Sequence, residues 1–116
     1  MTLSIETHTA PDGRVTLALR GEVDYATAPR IRESITEILA TDKAKSIHVD
    51  VAGVTVLDST GIGTLVVGYR IARDVGVTVT VTNPSRFITR LFTVVGAQEL
   101  LEEQTDAFAV APTRAT

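Results

Sequence analysis

The sequence predicts a single α/β domain, in which a mixed sheet of four to five strands is combined with about four helices. Two segments of alternating apolar and polar residues flank a Pro-Asp-Gly turn at residues 11–13, which predicts an N-terminal β-hairpin. Further along, segments with apolar residues three and four apart alternate with short β-branched segments. A chain of 116 residues forms one domain and is too short for two.

The first helix is predicted directly after the hairpin, whose strands we place at residues 3–8 and 15–20. Apolar residues recur there at helical spacing, at Ala28, Ile31, Ile35, Ile38 and Leu39. Thr27 is the expected N-cap, with Pro29 in the first turn, and the helix should end near residues 40–42.

The middle of the chain repeats the strand–helix–strand pattern. A third strand is predicted at residues 46–51 and a second helix at residues 61–74. The apolar face of that helix comprises Ile62, Leu65, Val66 and Tyr69. Gly76 is its expected C-cap, and β-branched residues in alternation predict a fourth strand over residues 77–82.

A third helix is predicted between Asn83-Pro84 and Gly96. Its apolar residues are Phe87, Ile88, Leu91, Phe92 and Val95, and an edge residue of this broad stripe is a candidate for partner contact. Arg86 and Arg90 lie on its polar side, where a solvated role is the simpler interpretation.

The C-terminal part predicts a short edge strand near Leu100 and Leu101 and a short closing helix around residues 105–109. We therefore place the domain at residues 1–110, with a short tail at residues 111–116. This order of elements predicts helices in the crossovers between parallel strands and hence a mixed sheet.

Composition excludes several kinds of chemistry. The chain has no cysteine, which rules out disulfides, thiolate zinc sites and thiol nucleophiles. With only two histidines a transition-metal site is not expected, and no cofactor is expected either. The 11 Lys and Arg against 14 Asp and Glu give a net charge of −3, the wrong sign for binding nucleic acid.

Targeting signals are missing from the sequence. No apolar run reaches the roughly 20 residues that span a bilayer. The N-terminus lacks the basic and apolar regions of a signal peptide. We therefore expect a cytoplasmic protein without membrane contact, and a monomer in solution.

The segment between the third strand and the second helix, residues 57–63 (LDSTGIG), carries the most information. Asp58, Ser59 and Thr60 offer three possible N-caps where one is enough. Gly61 and Gly63 follow in the first turn, and each glycine inside a helix costs up to about 1 kcal/mol relative to alanine. Together with Gly68, they would leave the helix start bare, so that another backbone or a large ligand could approach it closely.

Two interpretations of Ser59 stay open on spacing alone. It is either an ordinary N-cap or a phosphate acceptor at the positive end of the helix dipole. A phosphate there would add about −1.5 to −2 charges near free amide groups, which the fold would tolerate and a packed partner would not.

Catalytic interpretations of this segment are weaker. Ser59 lies outside a G-x-S-x-G elbow because position 57 is leucine, and a base would have to come from His8 or His48. The Gly61-Ile62-Gly63 sequence lacks the lysine of a P-loop and the third glycine of a dinucleotide fingerprint. A receiver domain is disfavoured because the chain opens with a hairpin.

Two motifs resemble those of a known family. Residues 21–24 (GEVD) followed by residues 27–29 (TAP) resemble the G-E-L-D-x-x-T-A-P segment of STAS domains, specifically bacterial anti-sigma factor antagonists. Residues 57–63 resemble the D-S-[ST]-G-[LI]-G phosphorylation loop of the same family. The order of elements agrees over almost the whole chain.

The resemblance implies a partner-switching protein that is not an enzyme. The unphosphorylated antagonist would bind an anti-sigma factor that is also a GHKL-type serine kinase, and so release the sigma factor. That kinase would phosphorylate Ser59 and end the binding, and a PP2C-type phosphatase would reset the switch. The alternative within the family is a STAS module of a signalling scaffold, or one that senses a nucleotide or another small ligand.

The resemblance also assigns roles to the neighbours of Ser59. Asp58 and Thr60 belong to the loop, and Thr60 is a second, less favoured hydroxyl for phosphate. Gly61, Ile62 and Gly63 would contact the partner together with Asp24, which is expected beside the loop. Asp24 could equally be a turn residue ahead of the first helix. The sequence departs from the family at residues 100–104 (LLEEQ), which are more acidic and lack aromatic residues.

Overall fold

The computed structural model describes residues 2–101, which form four strands, three α-helices and one short 3₁₀ turn. In chain order these are β1 (Leu3–Thr9), β2 (Arg14–Val23), α1 (Ala28–Ala40), β3 (Ser46–Leu57), α2 (Ser59–Asp74), β4 (Thr78–Thr82), α3 (Arg86–Val94) and the 3₁₀ turn (Gln98–Leu100). The expected closing helix at residues 105–109 and the tail at residues 111–116 lie outside the described residues.

The sheet has the order β1-β2-β3-β4. β1 and β2 form the expected antiparallel hairpin, with Thr9 opposite Val15 next to the turn. β3 pairs in parallel with both β2 and β4. The prediction of an α/β domain with a mixed sheet and an N-terminal hairpin is therefore confirmed.

The prediction of a fifth strand near residues 100–101 is wrong for the described residues, which form a 3₁₀ turn there. In the 3₁₀ turn the Leu100 amide donates to the Ala97 carbonyl and the Leu101 amide donates to the Gln98 carbonyl. These amides are therefore not available for the hydrogen bonds of a strand. A single parallel bridge between Leu101 and Val81 of β4 is what remains.

The core lies between one face of the sheet and the helices. The crossovers from β2 to β3 and from β3 to β4 step in the same direction along the sheet, so right-handed connections place α1 and α2 on the same face. The strand residues facing them are fully buried, as Leu17, Val49 and Val81 are, each with 0% of its surface exposed. Their neighbours on the other face are partly exposed, which explains the alternation seen in the sequence.

β3 extends six residues beyond its expected end at Val51. Its second half pairs with β2 through two register irregularities, one between Ala18 and Arg20 and the other between Gly21 and Glu22. Such irregularities disturb the two-residue period that marks a strand in sequence, so the extension was missed. It carries the chain as far as Leu57, which pairs with the last residue of β2, Val23.

Candidate functional site

The start of α2 is fixed by Asp58. Its amide donates to the Val23 carbonyl at 3.1 Å, which ties the end of β3 to the end of β2. Asp58 has extended backbone angles (φ −104°, ψ 179°), and its Oδ1 accepts a hydrogen bond from the Gly61 amide at 2.8 Å. This is N-cap geometry, and the helix therefore begins at Ser59, two residues before the expected position.

Ser59 is the first residue of α2 and is exposed. The interpretation of Ser59 as an N-cap is wrong, because Asp58 occupies that position and supplies the capping oxygen. Within residues 2–101 the Ser59 hydroxyl makes no hydrogen bond, and neither do the amides of Ser59 and Thr60. These amides belong to the group that an α-helix leaves unpaired at its N-terminus, and they favour a negative charge nearby.

We expect the removal of this cap to destabilise the fold. Asp58→Ala deletes the acceptor for the Gly61 amide and should lower the free energy of unfolding by about 0.5–2 kcal/mol in urea denaturation. Asp58→Asn is the matched control, because it keeps an oxygen at the same position and should stay close to the original protein. Equal stability of the two variants would show that Asp58 does not cap α2.

The three glycines of α2 serve different purposes. A Cβ on Gly61 would lie 2.6 Å from Val23 Cγ1 and 3.1 Å from the Val23 carbonyl oxygen. A Cβ on Gly68 would lie 2.7 Å from Ile35 Cδ1 of α1. The expectation that all three glycines leave the helix start bare is wrong for Gly61 and Gly68, because other side chains of the protein already occupy the space beside them.

Gly63 is the glycine of α2 that leaves surface bare. A Cβ built on it would meet no described atom within 4 Å, and the residue is exposed one turn after Ser59. Residues 2–101 therefore give no packing reason for glycine at this position. As far as residues 2–101 are concerned, the side of α2 that carries Ser59 and Gly63 is open to a close approach from outside.

Asp24 organises the turn between β2 and α1. Its Oδ1 accepts hydrogen bonds from the Ala26 amide at 3.0 Å and from the Thr27 amide at 3.1 Å. In the described part of the chain its carboxylate has no hydrogen bond to residues 57–63, so the geometry is that of a turn residue. Asp24 nevertheless directly follows Val23, whose carbonyl accepts the hydrogen bond from the Asp58 amide. The two acidic residues therefore lie at the C-terminal ends of the neighbouring strands β2 and β3.

Thr27 occupies the N-cap position of α1 as expected, but its side chain does not cap the helix. The hydroxyl instead donates to the Glu22 carbonyl at 2.9 Å and accepts from the Asp24 amide at 3.0 Å. The TAP motif therefore closes the loop back onto the end of β2. The aromatic residue of this loop, Tyr25, is displayed to solvent with 75% of its surface exposed.

Ser59 and Thr60 line different surfaces of α2, since consecutive helix residues are about 100° apart around the axis. Thr60 lines a groove of about 450 Å³ between α1 and α2, with Tyr25 at its end; we call it the α1–α2 groove. Ser59 lines a smaller cleft of about 280 Å³ between α2 and the residues that follow α3, the α2–α3 cleft. The α2–α3 cleft is lined on the α2 side by Ile62, Gly63 and Val66, and on the other side by Val95, Ala97 and Leu100.

The apolar stripe of α3 has a buried centre and exposed edges, as expected for so broad a stripe. Ile88 and Phe92 are buried, whereas Phe87 and Val95, at the two ends of the stripe, are 55% and 52% exposed. Val95 lines the α2–α3 cleft opposite Ser59 and Gly63 of α2. Arg86 is exposed on a separate surface of α3.

Neither histidine is placed to activate Ser59. His8 Nε2 lies 3.5 Å from Glu6 Oε1 on the hairpin, and His48 Nε2 lies 3.4 Å from Ser46 Oγ on β3. Both therefore lie on the strands and not at the start of α2. Residues 2–101 contain no cluster of three or more metal-ligating side chains, and none of their helices is long and apolar enough to cross a membrane.

Sequence reasoning missed Tyr25 and the difference between the two sides of α2. Tyr25 is the aromatic residue of residues 21–29, but it belongs to no periodic pattern that would have shown its exposure. Ser59 and Thr60 line different surfaces because α2 begins at Ser59. The sequence did not fix this starting point, since any of Asp58, Ser59 and Thr60 could have been the N-cap.

The four-stranded mixed sheet with its three helices is a fold of the STAS class. The family model described as "Mlab, STAS domain" matches residues 7–102, and the chain belongs to this family. The anti-sigma-B factor antagonist of Staphylococcus aureus is 31% identical over 101 residues, covering 87% of this chain and 92% of that protein. The resemblance to anti-sigma factor antagonists is thus confirmed.

Solved structures show the same fold. The unphosphorylated anti-sigma factor antagonist SpoIIAA superimposes with a TM-score of 0.74 at 22% identity, covering 89% of this chain and 90% of that one. An anti-sigma factor antagonist from Mycobacterium paratuberculosis gives a TM-score of 0.75, also at 22% identity, covering 90% of this chain and 89% of that one. At this level of identity the likeness establishes the architecture.

Proposed function

We propose that this protein is an anti-sigma factor antagonist that binds its anti-sigma factor while Ser59 is unphosphorylated and releases it once Ser59 carries phosphate. The observation that carries the proposal is that Ser59 is exposed at the first position of α2. Its hydroxyl is not needed to cap the helix, because Asp58 is the N-cap residue. The curated relatives named anti-sigma-B factor antagonists support the same role.

The local electrostatics suit a phosphate that switches binding without disturbing the fold. The unpaired amides of Ser59 and Thr60 and the helix dipole stabilise an anion at this point. A phosphoserine brings about −1.5 to −2 charges and would take the net charge from −3 to about −5. A partner packed against the bare side of Gly63 would have to desolvate that charge or be repelled by it.

The proposed partners are those that the resemblance to anti-sigma factor antagonists implies. An anti-sigma factor with GHKL-type serine kinase activity would bind ATP, and the Ser59 oxygen would attack its γ-phosphorus while the bond from that phosphorus to the ADP leaving group breaks. The hydroxyl proton would pass to a base of the kinase, since this chain presents no histidine to Ser59 in its described part. A PP2C-type phosphatase would hydrolyse the phosphoester and restore the binding form.

Mapping of the phosphate tests the proposal. The full chain is incubated with ATP and each candidate anti-sigma kinase from the same genome, and the product is analysed by peptide mass spectrometry. We expect one phosphate, on Ser59, with Thr60→Val phosphorylated as efficiently as the original protein and Ser59→Ala unmodified. A phosphate on Thr60 or elsewhere, or no phosphate with any of the kinases, would overturn it.

A further inference from the structure

We infer that this protein associates with a second copy of itself through the free edge of β1, in place of the monomer expected from the sequence. The two β1 strands run antiparallel across a two-fold axis and join the two four-stranded sheets into one continuous sheet. The inference rests on the backbone of β1, on the register in which the strand complements itself and on the groove beside it.

The hydrogen bonds of the hairpin show which backbone groups of β1 face β2. At one end of the hairpin the Glu22 amide donates to the Thr2 carbonyl. At the other end the Ala10 amide donates to the Arg14 carbonyl. Because hydrogen-bonded pairs recur at every second residue of an antiparallel ladder, the even-numbered residues of β1 bond to β2 and the odd-numbered ones face outward.

The outward-facing backbone groups of β1 are a template for another strand. The Leu3 carbonyl accepts a hydrogen bond from the Arg30 guanidinium. Within residues 2–101 the amides and carbonyls of Ile5, Thr7 and Thr9 make no hydrogen bond. A row of unpaired amides and carbonyls of this kind favours pairing with another chain.

The two edges of the sheet differ in how open they are. β4 is bridged by Leu101 at Val81, and the chain continues from there into residues 102–116. β1 lies at the opposite edge, three strand spacings of about 4.8 Å away. It has seven residues and contains neither proline nor lysine, two of the residues by which edge strands commonly avoid pairing.

One register makes β1 complementary to itself. With Thr7 opposite Thr7 of the second copy, the outward-facing residues of both strands oppose one another, as a hydrogen-bonded ladder requires. Glu6 then faces His8 of the second copy, and His8 faces its Glu6. Both side chains are exposed and lie 3.5 Å apart within one copy, so carboxylates and imidazoles would alternate across the junction.

The registers on either side of this one are less favourable. A ladder centred on Glu6 would place two carboxylates directly opposite each other, which is destabilising. A ladder centred on His8 would place Pro11 opposite Ile5 of the second copy, and proline has no amide to donate. The charges of β1 therefore select a second copy in the register centred on Thr7.

The helix side of β1 leaves room for the second copy. Thr7 and Thr9 line a groove of about 470 Å³ between the hairpin and the end of α1. Val15 and Ile38, two residues of the buried core, form part of its wall. In the proposed register Ile5 of the second copy lies beside Thr9, at the edge of this groove, where it would remove apolar surface from water.

The chain contains no cysteine, so a single introduced thiol tests the register. Thr7→Cys places two thiols opposite each other, where the Cα atoms of a hydrogen-bonded pair are about 5.5 Å apart, within the range of a disulfide. Thr9→Cys is the matched control, because Thr9 is an exposed threonine on the same side of the same strand. Its two copies would be about 14 Å apart.

Each cysteine variant of the full chain is oxidised in dilute solution and analysed by non-reducing electrophoresis. We expect Thr7→Cys to form a covalent dimer at least about tenfold faster than Thr9→Cys, since the paired strands hold its thiols at a high effective concentration. Equal rates for the two variants would overturn the register.

A charge exchange tests the junction without cysteine. Sedimentation equilibrium gives the dissociation constant of the dimer, and we expect Glu6→Lys and His8→Glu each to raise it by about tenfold. The double variant restores opposite charges and should return to within about threefold of the original value. Thr7→Pro removes an outward-facing amide and leaves the bonds to β2 intact, so it should give a folded monomer.

A protein that stays monomeric at every concentration, or a dimer that Thr7→Pro and Glu6→Lys leave unchanged, would overturn the inference. Protection of the Ile5, Thr7 and Thr9 amides from hydrogen exchange in a monomer would show that residues 102–116 cover the edge instead. Both results leave the proposed function standing, because Ser59 follows β3, which β2 separates from β1.

Discussion

Replacing Ser59 by aspartate is expected to strengthen the fold and weaken partner binding at the same time. A carboxylate at the first position of α2 interacts favourably with the helix dipole, so the free energy of unfolding should rise by about 0.3–1 kcal/mol. The same charge at the edge of the α2–α3 cleft should weaken binding to the anti-sigma factor by at least about tenfold. Urea denaturation and calorimetry measure the two effects.

Ser59→Asn and Ser59→Ala are the controls for this pair of effects. Asparagine has the size of aspartate without its charge, so it should retain most of the binding, whereas alanine should bind constitutively in the presence of ATP. Because the Ser59 hydroxyl has no hydrogen bond to any residue in the described range 2–101, alanine should change stability by no more than about 0.5 kcal/mol. If asparagine weakened binding as much as aspartate, bulk and not charge would be responsible.

The second large effect is expected at Gly61. Gly61→Ala places a Cβ 2.6 Å from Val23 Cγ1 and 2.9 Å from Leu57 Cδ1, and 3.1 Å from the Val23 carbonyl, which cannot move without shifting β2. The free energy of unfolding should fall by about 1–3 kcal/mol, as in other overpacked sites. Thermal or urea denaturation of the purified variant measures it.

Gly63→Ala is the matched control, two residues along the same helix. Its Cβ would meet no atom of residues 2–101 within 4 Å, and alanine is preferred to glycine in a helix by roughly 0.5–1 kcal/mol, so stability should rise. The two substitutions thus have opposite signs although they make the same chemical change in the same turn. A loss of stability in both, or a gain in both, would contradict the packing described for the start of α2.

Much of the fold could be predicted from local periodicity. The hairpin, the first helix and the fourth strand lie close to where alternation and helical spacing place them, because each of these elements buries a single face. The second helix was predicted from the same spacing, except for its first two residues. The second half of β3 could not be predicted in this way. Its pairing with β2 is irregular, so its side chains do not follow a simple two-residue pattern.

The candidate site was predicted in its residues but not in its geometry. Three adjacent residues with N-cap side chains are equivalent in sequence, and only the hydrogen bond from the Gly61 amide to Asp58 selects one of them. The glycines could not be sorted either, since Gly61 meets Val23 from another strand whereas Gly63 meets nothing described. Such contacts between distant parts of the chain leave no local pattern.

The central claim, that phosphate on Ser59 switches binding, is tested most directly by comparing the two forms of one preparation. The protein is phosphorylated by its anti-sigma kinase, the two forms are separated by ion exchange, and each is titrated into the same anti-sigma factor. We expect the phosphorylated form to bind at least about 100-fold more weakly, a difference of roughly 2.7 kcal/mol, with binding restored by a PP2C-type phosphatase. Equal affinity of the two forms would contradict the account.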